Sequence, residues 1–382
     1  MDEKQRAYAY WLNSAPGIGE KSIRKLVSRC GCLEEVYLAG EKLYRSLLPE
    51  KKAEELIAFT AGWDVEGEYG RLMETGVKFI TVEEQGYPNR LREIPDPPYG
   101  LFWKGELPDR NRLAAAVIGA RDCSEYGRYV ARELGEALGR NGIQVISGMA
   151  KGIDGISQEA ALEAGGASFA VLGCGVDICY PAQNRKLYEN LLERGGVLSS
   201  YPPGTEPQPN LFPPRNRIVS GLADAVVVVE ARVRSGTLIT VDMALEQGRE
   251  VYAVPGRLTD RLSDGCNRLL NQGAAALLSP KEFVADLNRL FPHKVPCAAL
   301  PACGEDPLSN VLDAAVRPAA ELSDQERKVW SCLDFCPQSV EQIRGRLGDG
   351  FTYPETLRLL MRLCLTGTAK QIGTGYFLKK EP

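Results

Sequence analysis

Short, almost wholly apolar runs recur between residues 115 and 278, and a segment of helical periodicity follows nearly every one. Ala115–Ile118, Ile143–Ser147, Phe169–Leu172, Val197–Ser200, Ala225–Glu230, Glu250–Val254 and Ala275–Leu278 read as strands. Tyr126–Arg140, Ile156–Ala164, Asn184–Arg194, Arg217–Gly221, Thr237–Gln247 and Pro280–Leu290 read as helices. A run such as Ala225-Val-Val-Val-Val229 has no polar face, so it must be covered on both sides. Alternation of such strands with helices predicts an α/β fold, an extended Rossmann-like, doubly wound, mainly parallel sheet. Folds of this kind receive ligands at the C-terminal ends of their strands.

The flanks read differently. Residues 1–75 predict short helices at Ala7–Asn13, Lys21–Arg29, Glu50–Phe59 and Glu66–Thr75. The turn Ser14-Ala-Pro-Gly-Ile-Gly19, with Lys21, Arg24 and Lys25 just beyond it, suggests a SAM/helix-hairpin-helix-like module that could meet DNA phosphates. It suits a plain helical interaction module equally well, since the segment has 11 Lys/Arg against 13 Asp/Glu. A Pro-rich connector, Ile94-Pro-Asp-Pro-Pro98, precedes the alternating strands and helices within residues 77–290. Residues 291–320 lack periodicity and read as a linker. In residues 321–382, helices at Ser323–Phe335, Val340–Leu347 and Tyr353–Leu365 precede a hairpin of Ala369–Ile372 and Tyr376–Lys379. Ser323-Asp-Gln-Glu326 is a capping box for the first of them, and the whole reads as a winged helix.

Composition removes several chemistries. His293 is the single histidine and sits outside every motif, which excludes Ser-His-Asp and Cys-His catalysis. Eleven cysteines include no C-x-x-C, so a zinc site of ordinary spacing is not expected, and the thiols read as reduced and buried. No apolar run reaches the roughly 20 residues that span a bilayer, and the N-terminus opens acidic without a signal-peptide core. The expectation is a cytoplasmic protein without membrane contact. Net charge is −4, so any nucleic-acid site must be a local cationic patch.

Four loops offer such a patch. Gly119-Ala-Arg121 follows the first strand of the alternating region. Ser147-Gly-Met-Ala-Lys-Gly-Ile-Asp154 follows the next, where glycines expose N–H groups and Lys151 adds charge. Phe212-Pro-Pro-Arg-Asn-Arg217 places Arg215, Asn216 and Arg217 at a helix start; Arg can grip phosphate with two parallel bonds or stack on a base. Ser235-Gly-Thr237 opens a further helix beside Arg232 and Arg234. The arginines of the third loop could instead form an internal network with Asp224 or Glu230. Asp154 and Asp177 could be general bases, or equally helix caps and partners for cations. Neither G-x-G-x-x-G nor a Walker loop is present, so no nucleotide cofactor is expected.

Taken with Val171-Leu-Gly-Cys-Gly-Val-Asp177, Tyr180-Pro181, Asn184-Arg-Lys186, Ser200-Tyr-Pro-Pro-Gly204, Ala244-Leu-Glu-Gln-Gly-Arg249, Val254-Pro-Gly256 and Gly265-Cys-Asn-Arg268, these loops closely resemble the DNA-processing protein A family (DprA, also called Smf) across residues 77–290. The resemblance implies a non-enzymatic protein of natural transformation that binds and protects incoming single-stranded DNA. It further implies help in loading the RecA recombinase, and a homodimer formed through the Rossmann-like domain. The implied DNA pocket comprises Gly119, Arg121, Ser147, Gly148 and Lys151, with Arg215, Asn216 and Arg217 nearby. Ser235 and Thr237 join the expected DNA contacts as the anion cradle that their hydroxyls and N–H groups form at a helix start. Lys151 stands where many members carry Arg, which keeps charge but loses the bidentate fork, and Gln158 where many carry His.

Two alternatives belong to other classes. Phosphoribohydrolases once called lysine decarboxylases share the sheet, but their motif P-G-G-x-G-T-x-x-E loses its glycine pair here and has Thr240 in place of its carboxylate. A winged-helix transcription regulator needs a basic recognition helix. Tyr353–Leu365 offers only Arg358 and Arg362 beside Glu355, and residues 321–382 balance 9 Lys/Arg against 8 Asp/Glu.

Overall fold

The computed structural model describes residues 1–294, 322–334, 337–348, 350–366, 368–372 and 375–379. Most of the expected linker, 291–320, lies outside the described residues. The chain divides into two compact units, residues 1–123 with 130–294, and residues 124–129 with those from 322 onward.

The first unit opens with five helices: α1 (Glu3–Ser14), α2 (Glu20–Cys30), α3 (Leu33–Leu47), α4 (Glu50–Ala61) and α5 (Val65–Glu74). The sequence reading misses α3, which Gly40 breaks with a φ of +58°. Strand β1 (Lys78–Thr81), the short helix α6 (Asn89–Arg92) and strand β2 (Gly100–Gly105) follow. Both strands are also absent from the sequence reading, because a long connection rather than a tight turn joins them.

Alternation then runs as expected: β3 (Ala114–Ile118), α7 (Glu125–Arg140), β4 (Gln144–Ser147), α8 (Ile153–Glu163), β5 (Ser168–Val171), α9 (Arg185–Arg194) and β6 (Gly195–Ser199). It continues with α10 (Phe212–Leu222), β7 (Ala225–Val228), α11 (Gly236–Glu246), β8 (Glu250–Ala253), α12 (Asp264–Asn271), β9 (Ala275–Ala276) and α13 (Pro280–Leu290). Two differences matter at the site. Helix α8 begins at Ile153 rather than Ile156, and α10 begins at Phe212 rather than Arg217, the latter because prolines are well placed in a first helical turn.

The nine strands form one sheet in the order β1-β2-β6-β5-β4-β3-β7-β8-β9. From β6 to β9 every pair is parallel, while β2 against β6 and β1 against β2 are antiparallel. The chain winds outward from β3 to β6, returns beside β3 as β7, and winds the other way. The topological switch point therefore lies between the C-terminal ends of β3 and β7. This is the Rossmann-like α/β fold.

Val226 and Val228 of β7 and Ile146 of β4 pack with Ile218 and Leu222 of α10 and Val241 of α11. A second core joins Tyr10, Trp11 and Leu12 of α1 to Phe79 of β1, Phe102 of β2 and Leu191 of α9. The N-terminal helices thus share a core with the outer edge of the sheet.

The second unit holds α14 (Asp324–Cys332), β10 (Gln338–Ser339), α15 (Val340–Leu347), α16 (Tyr353–Leu365), β11 (Ala369–Ile372) and β12 (Tyr376–Lys379). Its strands pair antiparallel in the order β10-β12-β11. The capping box forms as the sequence requires: Ser323 Oγ accepts from Glu326 N–H at 3.3 Å, and Glu326 accepts from Ser323 N–H at 2.9 Å. No helix among the described residues is long and apolar enough to cross a membrane.

Candidate functional site

A cleft of about 660 Å³ opens at the switch point, between the loop after β3 and the loop after β7. An adjoining cleft of about 280 Å³ extends over the loop after β4 and reaches Lys151. Arg121, Gly148, Tyr180, Phe212 and Arg215 line both.

The β4–α8 loop is fixed almost atom by atom. Gly148 N–H donates to Asp154 Oδ2 at 3.1 Å, and Met149 N–H to Gln158 Oε1 at 3.0 Å. Asn184 Nδ2 donates to Met149 O at 2.9 Å, and Ile153 N–H to Ala120 O at 3.2 Å, which ties the loop to the one after β3. Gly152 turns the chain at φ +76°, where a Cβ would lie 2.3 Å from Ala120 O, so only glycine fits. Met149 is itself left-handed at φ +53°, a conformation a non-glycine residue holds only when its neighbours fix it. The effect of this geometry is to present Lys151 on an exposed corner with no ion-pair partner among the described residues.

Several predicted contacts turn out to be internal. Ser147 is fully buried and donates to Val117 O at 2.6 Å. Arg215 is buried and donates to Gly148 O at 2.9 Å and to Val171 O. Its guanidinium lies so close to Gly148 that a Cβ there would sit 2.7 Å from it. Burial pulls Arg215 below its ordinary value, against the attraction of Asp154. Burial also pushes the Asp154 carboxyl up, opposed by Arg215 and the Gly148 N–H.

Arg217 leaves the cleft altogether. Its guanidinium is held by Glu20 of α2, Asp96 O and, at 3.1 Å, Pro214 O. Asp224 pairs instead with Arg90 at 2.9 Å and with Lys294, so the internal network considered for the two arginines does not form around it. Asp177 accepts from Gly204 N–H at 3.0 Å and serves as a loop clamp. Ser235 caps α11 by accepting from Thr237 N–H at 3.2 Å, and Thr237 Oγ1 donates to Gly119 O at 3.3 Å. Asn216 lines the cleft.

Exposed Arg121, Lys151, Arg232 and Arg234 remain, none with an ion pair among the described residues. The sequence reading overlooks the aromatic element beside them. Tyr180 stacks on Phe212 with ring centroids 5.6 Å apart, and the Arg121 and Arg215 guanidinium groups lie 5.7 and 5.9 Å from the Phe212 ring. Tyr180 is 41% exposed. Its link to Phe212 bridges two distant loops, so no local pattern could reveal it. In the N-terminal helices, Lys25 donates to Leu47 O at 2.6 Å and Arg24 to Pro97 O at 3.2 Å.

Fold and site together define a Rossmann-like protein with an open, cationic and aromatic cleft at its switch point. The family described as DNA recombination-mediator protein A matches residues 78–288, and the chain belongs to it. DNA processing protein DprA of Streptococcus pneumoniae is 43% identical over 207 residues, 54% of this chain and 73% of that protein. The X-ray structure of the Streptococcus pneumoniae protein superposes with a TM-score of 0.64 at 32% identity, covering 75% of this chain and 98% of that one. A structure of DNA processing protein A from Helicobacter pylori, which concerns its single-stranded DNA binding mode, covers 57% of this chain and 98% of that one. It gives a TM-score of 0.50 at 29% identity.

Proposed function

We propose that the protein binds single-stranded DNA through this cleft, as a DNA-processing protein of natural transformation that protects incoming strands and helps load the RecA recombinase. The observation that carries the reading is the combination of Arg121, Lys151, Arg232 and Arg234, exposed and without ion pairs among the described residues, with the stacked rings of Tyr180 and Phe212. Unpaired cations neutralise backbone phosphates, and rings accept unstacked bases whatever their sequence. A single strand offers both groups together, whereas a duplex hides its bases. The single-stranded DNA binding of the Helicobacter pylori relative supports the same ligand.

The role is binding rather than catalysis. Asp154 and Asp177, the carboxylates considered as bases, are engaged in holding loop N–H groups, and Thr240 stands where a phosphoribohydrolase needs its carboxylate. Residues 1–75 serve as a helical SAM/helix-hairpin-helix-like module, 77–290 as the Rossmann-like domain that dimerises, 291–320 as a linker and 321–382 as a winged helix. Fluorescence anisotropy with an oligothymidylate and with a duplex of equal length tests the function, with nucleotide hydrolysis assayed in parallel. Preferential binding of the single strand without hydrolysis is the expected result. Preference for one duplex sequence would favour a transcription regulator, and release of ribose 5-phosphate would favour the hydrolase.

A further inference from the structure

We propose that the end of the cleft at the start of α11 is a phosphomonoester subsite. It takes the dianionic terminal phosphate of a nucleotide, carried by the 5′ end of a DNA strand or by a free nucleoside monophosphate. The first source rests on the single-stranded DNA reading above; the second does not.

Thr240 is 4% exposed, lines the cleft, and its hydroxyl makes no hydrogen bond among the described residues. Thr60 and Thr356, also in helices, donate to the carbonyl four residues back at 2.7 and 3.0 Å, and Thr240 does not. Its oxygen is not among the buried unpartnered side-chain atoms, so the hydroxyl of this closely packed residue meets the cleft and is open there to a ligand.

Gly236 lies one turn before Thr240 on the same helical face, so both border the same space. Ser235 Oγ and Ser235 O already occupy the N–H groups of Thr237 and Leu238, at 3.2 and 3.1 Å. Gly236 N–H is left for a ligand at the positive end of the helix dipole, and nothing lies within 4 Å of where its Cβ would be. Arg232 and Arg234 line the same end.

Two arginines, a helix N-terminus and a neutral hydroxyl suit a doubly charged group. A phosphodiester inside a strand carries one charge, for which Lys151 in the other lobe is enough. A carboxylate at position 240 would repel phosphate at this depth, and threonine does not. The carboxylates that also line the cleft are Asp122, on the loop after β3, and Asp154, which is offset by buried Arg215.

The test compares a 5′-phosphorylated oligothymidylate with its 5′-hydroxyl counterpart by anisotropy, on the full chain. A calorimetric titration with thymidine monophosphate and with thymidine runs beside it. The phosphorylated strand is expected to bind about tenfold more tightly, in line with charge-assisted bonds to a dianion. Thr240→Val and Arg234→Ala should each remove most of that ratio, while Lys151→Ala weakens both strands alike and preserves it. Binding of thymidine monophosphate, but not thymidine, with no end effect on DNA would assign the subsite to free nucleotides. Equal affinity for both strands together with no binding of thymidine monophosphate overturns the proposal. If neither strand binds, the DNA reading fails, and the nucleotide titration still decides the subsite.

Discussion

Arg215 and Gly148 are joined by a 2.9 Å hydrogen bond from guanidinium to carbonyl, which locks the first turn of α10 onto the loop after β4. The contact is buried and includes Val171 O and the field of Asp154. Arg215→Ala would leave two buried carbonyls without this donor and Asp154 without its cation. It should cost roughly 3 kcal/mol and lower the melting temperature by roughly 5–10 °C. Circular dichroism melts check this; an unchanged melt would show that the contact does not order the loop.

Arg121 and Lys151 should behave in the opposite way. Both are exposed and make no ion pair among the described residues, so Arg121→Glu and Lys151→Glu should leave the melt unchanged. Each should weaken single-stranded DNA binding by tenfold or more, about 1.4 kcal/mol upward. Alanine variants should flatten log affinity against log salt by up to about 0.7 for each phosphate no longer neutralised. Arg217→Ala, removing a group held by Glu20 and Asp96 O, should change neither affinity nor slope.

Phe212 separates stacking from charge. Phe212→Ala should lose roughly 1–3 kcal/mol of affinity, the range for one stacked base, while keeping the salt slope of the parent. A slope that fell with the affinity would mean that Phe212 acts only by holding Arg121 in place, 5.7 Å from its ring.

The sequence made the sheet legible because its parallel strands, covered on both faces, left continuous apolar runs. Glycine beside a cation after a strand is common for packing alone, so the loops were legible only because several of them fall together at the C-terminal edge of one sheet. The sequence could not separate a buried arginine from an exposed one within Arg215-Asn-Arg217. That difference depends on where α10 starts, and the two prolines set the start at Phe212, upstream of the periodic pattern. Strands β1 and β2 were hidden because their pairing is non-local, with Lys78 opposite Trp103. The Tyr180–Phe212 stack was hidden for the same reason.

The shared core of α1 with β1 and β2 bears on any shortened chain. Tyr10 meets the rings of Phe79 and Phe102 at 5.9 Å each, and all three are buried. A chain starting at residue 77 would expose both phenylalanines, so it should melt lower than the full protein and bind a hydrophobic dye such as ANS. A dye-free truncated protein with the parent melt would show that the sheet edge closes by itself.

Glu326 gives the second unit a defined response to acid. The Ser323 hydroxyl and N–H hold its carboxylate below the usual range, with Arg362 at 3.1 Å adding to this across a solvent-exposed guanidinium. A carboxyl lowered by folding contributes stability that is complete above its unfolded value, about 4.3, and is lost as pH falls through its folded value. The α14 N-terminus should therefore loosen only as pH falls below the ordinary glutamate range. Glu326→Gln keeps an acceptor at the third helical position but cannot titrate, so this acid dependence should vanish in the variant. An NMR titration of the Glu326 carboxyl in the full chain reads the effect directly, with a midpoint expected below that of an ordinary glutamate. An ordinary midpoint would mean that the capping box opens in solution.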